Sequence, residues 1–134
     1  MLGRFFERLR RRQPAPVTGA PPVRRPKTWS ARSGYVYQYV FEGHRQRAGE
    51  TEYLFQVTSG REAPLAVRVV LPDDVIQEWE RAHEVTLRSS ERYGIAKIAL
   101  FQAFDERASP ARMRAAVRVR RADLEAIVET LGIV

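Results

Sequence analysis

From Gly34 onward the apolar positions of the chain recur at every second residue. Tyr35, Tyr37, Tyr39 and Phe41 alternate with Val36, Gln38 and Val40, which predicts a β-strand. The polar run Glu42–Glu50, with Gly43 and Gly49 near its ends, reads as a loop. A second strand follows, with Tyr53, Phe55 and Val57 on one face and Leu54, Gln56 and Thr58 on the other. Ser59-Gly60-Arg61-Glu62 supplies turn chemistry, and the β-branched stretch Leu65–Leu71 makes a third strand. Three strands with short connections predict an antiparallel meander.

After Pro72 the period becomes helical. Proline costs nothing at a first helical position, and Asp73 and Asp74 complement the positive end of the helix dipole. Val75, Ile76, Trp79 and Ala82 form the apolar stripe of this helix. A second helix is predicted from caps at Ser89-Ser90 to about Arg107. Tyr93, Ile95, Ala96, Ile98, Ala99, Leu100, Phe101, Ala103 and Phe104 surround most of its circumference, the pattern of a central, buried helix. Ser109-Pro110 restarts the chain. Residues 114–120 alternate weakly, with Ala115, Val117 and Val119 inward and Arg114, Arg118 and Arg120 outward, a fourth strand. Leu124, Ile127, Val128 and Leu131 mark a last helix stopped by Gly132. The expected fold is therefore α+β, an antiparallel sheet of three to four strands on two or three helices. Its order is βββ-αα-β-α, in one domain over 33–134.

The charge is unevenly placed. The chain of 134 residues has a formal net charge of +7, but residues 1–32 hold nine basic residues against Glu7 alone. The remainder holds 14 basic and 15 acidic residues, so the excess belongs to the N-terminal part. Residues 1–12 read as a basic amphipathic arm: Leu2, Phe5, Phe6 and Leu9 form one stripe, opposite Arg4, Arg8, Arg10, Arg11 and Arg12. Residues 13–32 carry five of the eight prolines and read as a semi-stiff linker. The arm is Arg-rich and poor in acids, as organellar transit peptides are, but no apolar core of a secretory signal follows it. There is no cysteine, which excludes disulfides, a thiolate nucleophile and cysteine-ligated metal. The uncharged run Ile98–Phe104 is far too short to span a bilayer.

Several constellations could carry chemistry. Tyr93 and Lys97 form a Tyr-x-x-x-Lys pair that resembles the signature of short-chain dehydrogenases. The glycine-rich dinucleotide turn of that family is missing, and the alternative is a core tyrosine beside a snorkelling lysine. His83-Glu84 opens a zinc-protease pattern that fails at Leu87. Glu80, His83 and Glu84 share a helical face, as metal ligands or as a solvated polar surface. The aromatic row of the first two strands suits either base stacking or a core face. Between Arg107 and Arg121 six arginines occur with no acid, a polyanion patch or a charged edge strand.

These observations predict a non-enzymatic, cytoplasmic binding protein without cofactor or metal. Its Arg-rich arm engages a polyanion, with nucleic acid as the leading partner. Arg4, Arg8, Arg10, Arg11 and Arg12 are the expected phosphate contacts, with Arg114, Arg118 and Arg120 as a second group. The rival reading is a protein–protein adaptor or structural subunit of an assembly. It would use Leu2, Phe5, Phe6 and Leu9 and the aromatic sheet face, and the same stripe suits peripheral membrane association.

Overall fold

The structure is a computed structural model and describes residues 16–133. The expected arm residues Leu2, Arg4, Phe5, Phe6, Arg8, Leu9, Arg10, Arg11 and Arg12 lie outside the described residues. The fold is α+β, with five strands in the order β1-β2-β3-β4-β5. These are β1 (Lys27–Ser30), β2 (Val36–Arg47), β3 (Glu50–Ser59), β4 (Leu65–Pro72) and β5 (Val117–Arg118). Three α-helices accompany them: α1 (Asp73–His83), α2 (Ser89–Glu106) and α3 (Arg121–Leu131). The sheet is mixed, because β1 to β4 pair antiparallel while β5 runs parallel to β4.

The meander of β2, β3 and β4 lies where the alternation puts it, with three departures from the pattern. First, Lys27–Ser30, assigned by composition to the linker, form an edge strand on β2. Trp29 anchors it: its ring stacks on Phe101 at 4.2 Å, and its indole N–H donates to Asp105 Oδ1 at 3.0 Å. Second, Glu42–Arg47 is not a loop. β2 continues through a bulge between Phe41 and Gly43 and ends in a two-residue turn, so that Arg47 faces Glu50. Third, the strand expected over residues 114–120 is confined to Val117–Arg118. Pro110–Arg114 is a 3₁₀ turn that buries Met113, and only Val117 and Arg118 pair with β4. Val117 and Val119 do point inward, whereas Ala115 is exposed.

The core lies between one sheet face and the helices. Tyr37, Tyr39, Tyr53, Phe55, Val57, Val67, Val69 and Leu71 are buried from the strands, and Ile95, Ala96, Leu100 and Phe104 from α2. Phe104 stacks on Tyr37 at 4.3 Å, and Phe101 meets Tyr39 edge-on at 5.5 Å. The aromatic row is thus largely core, with Tyr35 exposed and Phe41 half-buried towards its two ends. Alanines at 96, 99 and 103 are buried along α2, and Gly94 leaves room for Leu131 of α3. α2 is apolar on most sides because it packs on the sheet and on α3 together, while Gln102 and Glu106 face solvent. Its N-cap is Arg88 rather than a serine, with Glu91 accepting the Arg88 backbone N–H at 2.8 Å. No described helix is long and apolar enough to cross a membrane.

Candidate ligand-binding cavity

β2 and β3 run on past the N-terminal end of α2, and their core face is open there. His44 and Gln46 from β2, with Thr51 and Tyr53 from β3, floor a cavity of about 950 Å³. Ser89, Ser90, Arg92 and Tyr93 of α2 form one wall, and the segment from Pro16 to Lys27 forms the other. That volume is at the upper end of the range for small-molecule sites, roughly 300–1,000 Å³.

Two glycines seat the N-terminal wall. Thr18 exchanges both backbone hydrogen bonds with His44, at 2.9 and 2.8 Å. Gly43, at the bulge, has φ 115°, and a Cβ there would meet the Thr18 carbonyl oxygen at 2.5 Å. Gly19, at φ 80°, lies against the His44 ring, 2.9 Å from where its Cβ would be. Side chains at either position would push the wall off the sheet. Arg24 adds an ion pair to Glu42 at 2.7 Å.

The lining has a distinct chemistry. Tyr39, Phe41, Tyr53 and Tyr93 contribute rings, and Arg25, Lys27 and Arg92 contribute positive charge. Among the described residues no Asp or Glu lines the cavity. Arg45 is held by Glu52 at 2.9 Å and Arg92 is 4.0 Å from Glu80. Among the described residues, Arg25 and Lys27 make no salt bridge. Burial, with the neighbouring Lys27 charge adding to it, holds the Lys97 ammonium below the usual lysine pKa. Burial raises the phenol pKa of Tyr39, Tyr53 and Tyr93. They are neutral hydrogen-bonding groups at physiological pH.

The other candidates are engaged elsewhere. Lys97 lies 5.8 Å from the Tyr93 ring centroid and 5.8 Å from that of Phe101, a cation–π arrangement. With the Tyr93 phenol raised, the pair lacks the lowered phenol that acid–base chemistry needs. His83 stacks on Trp79 at 4.3 Å, with Nδ1 2.9 Å from the Trp79 carbonyl and Nε2 3.1 Å from Glu125. Glu80 accepts the Leu87 backbone N–H at 2.7 Å. No group of three metal-ligating side chains occurs among the described residues.

Three of the six arginines of the 107–121 stretch find acidic partners in the fold. Arg118 pairs with Glu50 at 2.9 Å, Arg120 with Asp123 at 3.0 Å, and Arg121 with Glu78. Arg107 donates to the carbonyls of Arg112, Ala115 and Ala116. Arg114 sits in the 3₁₀ turn and Arg120 at the N-cap of α3, so Arg114, Arg118 and Arg120 do not share a strand face. Tyr39, Phe41, Tyr53 and Tyr93 of the lining carry a signal in the sequence, through the aromatic row and the Tyr-x-x-x-Lys pair, whereas the Pro16–Lys27 wall, His44, Thr51 and Arg92 come from separate segments with no common motif.

The chain matches no family model, no curated protein and no solved structure at a significant level, so the functional reading rests on geometry.

Proposed function

We propose that the protein is a non-enzymatic nucleic-acid-binding protein in which the Arg-rich N-terminal arm and the mouth of the cavity form one cationic track for a single strand. The observation that carries this reading is the cavity lining: the cationic side chains of Arg25, Lys27 and Arg92, no carboxylate among the described residues, and Pro16. Pro16 is where residues 1–15, with Arg4, Arg8, Arg10, Arg11 and Arg12, join the described chain. Clustered positive charge of this kind binds phosphates by releasing counterions. Binding rather than catalysis is supported by the structural use of Tyr93, Lys97 and His83.

The test is fluorescence anisotropy with a labelled single-stranded oligonucleotide, comparing the full chain with its Arg8/Arg10/Arg11/Arg12→Gln variant. Substitution is preferable to deletion through Arg32, which would remove β1. Without these four guanidinium groups on the phosphates, the slope of log affinity against log salt should flatten by about 3, and affinity at low salt should fall tenfold or more. Equal binding by the two proteins, or none by either, overturns the reading. A Phe5/Phe6→Ser variant that binds oligonucleotide normally separates this from a groove or membrane role for the apolar stripe.

A further inference from the structure

Among the described residues the apolar lining of the cavity is aromatic and prolyl, with Val23 and Val40 as its aliphatic side chains and no Leu, Ile or Met. An alkyl chain is usually surrounded by branched aliphatics, whereas flat rings favour a flat ligand through stacking. Phe41 stands 4.6 Å from Tyr93 and 6.4 Å from Tyr53 between ring centroids, so the three rings pack as one cluster in the lining, with Phe41 and Tyr93 half-buried and Tyr53 buried behind them. Beside it, Arg25 and Lys27 line the cavity, and no carboxylate of the described residues lines it with them. A phosphate seated there would accept charge-assisted hydrogen bonds from both. Glu91 already caps α2, so the anion-holding groups are the side chains Lys27 and Arg25, not the helix end.

We infer that the cavity takes one nucleotide, its base against the half-buried rings of Phe41 and Tyr93 and its phosphate at Lys27 and Arg25. The inference rests on the nucleic-acid reading and gives that reading a site that recognises a base as well as phosphate. A free mononucleotide and the terminal nucleotide of a strand share this chemistry, and the experiment separates them.

Full-length protein is titrated calorimetrically with adenosine 5′-monophosphate, adenosine, inorganic phosphate and decanoate. Each is also used to compete against the labelled oligonucleotide. The monophosphate should bind and should displace the oligonucleotide, with adenosine and phosphate each at least tenfold weaker. An R25Q/K27Q variant should bind the monophosphate at least tenfold more weakly. A Ser90→Trp variant, which narrows the mouth at an exposed position, should do the same. Unchanged thermal melting of both variants shows that the fold is intact.

Oligonucleotide binding that is indifferent to both variants, with no monophosphate binding at about 1 mM, overturns the cavity site and leaves the arm reading standing. Monophosphate binding without oligonucleotide binding supports the site and overturns the nucleic-acid reading. Decanoate binding without monophosphate binding assigns the cavity to amphiphiles and overturns the inference. Binding of none of the probes overturns both.

Discussion

Glu52 is the residue whose burial most needs explaining. It projects from the sheet face opposite α2, and its side chain is fully buried beneath Arg45, Arg47 and Arg68. The contacts are 2.9, 3.4 and 2.8 Å, and the Glu50–Arg118 pair lies on the same face. Burial alone would raise its pKa. Hydrogen bonds from Arg68 and Arg45, with the charges of Arg45 and Arg47, outweigh that and hold the carboxyl below the ordinary range. Ionised Glu52 therefore stabilises the folded state at every pH above its unfolded value. That contribution is lost as pH falls from about 4.5 through its folded pKa. Urea melts across pH 2–7 should show this loss in the wild type and a flatter profile in Glu52→Gln. At pH 7 the variant should be about 2–3 kcal/mol less stable, because three arginines converge on an uncharged amide and their partial exposure screens the loss. Gly43 gives a second prediction at this scale. Gly43→Ala meets both a left-handed backbone and the Thr18 carbonyl, so denaturant melts should show a loss of about 1–3 kcal/mol. Ligand binding should fall with it, since the cavity wall hangs on Thr18.

Among the elements, β1 shows why part of the fold could not be read from the pattern. Four residues preceded by proline carry too little periodicity to reveal a strand, and Trp29 becomes informative only once Phe101 and Asp105 are placed beside it. Trp29→Ala should cost about 2–3 kcal/mol in thermal or denaturant melts, less than a fully buried tryptophan would, because the ring is half-buried. The far half of β2 was hidden for a different reason. His44 and Gln46 face the cavity while Arg45 and Arg47 face Glu52, so both faces are polar and no apolar alternation marks the strand. β3, β4, α1, α2 and α3 were legible because each presents an apolar face to the core. Residues 110–120 were not, since Met113 and Val117 fill the core from a 3₁₀ turn and a two-residue strand.

For the whole molecule, charge in sequence differs from charge in space. The acid-free stretch from Arg107 to Arg121 meets Glu50, Glu78 and Asp123 once folded, so Arg118, Arg120 and Arg121 become members of ion pairs. Arg114/Arg118/Arg120→Gln should accordingly leave oligonucleotide affinity within about twofold by anisotropy, as for any weak surface contribution. The cavity has the opposite history. Its residues come from the Pro16–Lys27 segment, two strands and a helix, and no stretch of sequence carries its aromatic and cationic character together. In the proposed mode of binding, nucleic acid lies along the arm and enters this cavity. Photocrosslinking the full chain to a 4-thiouridine oligonucleotide, with the joined peptides mapped by mass spectrometry, locates the strand. Crosslinks are expected in peptides containing Phe41, Tyr53 or Tyr93 together with the arm. Crosslinks confined to the 107–121 stretch, or none above an unrelated basic protein, would contradict this mode of binding.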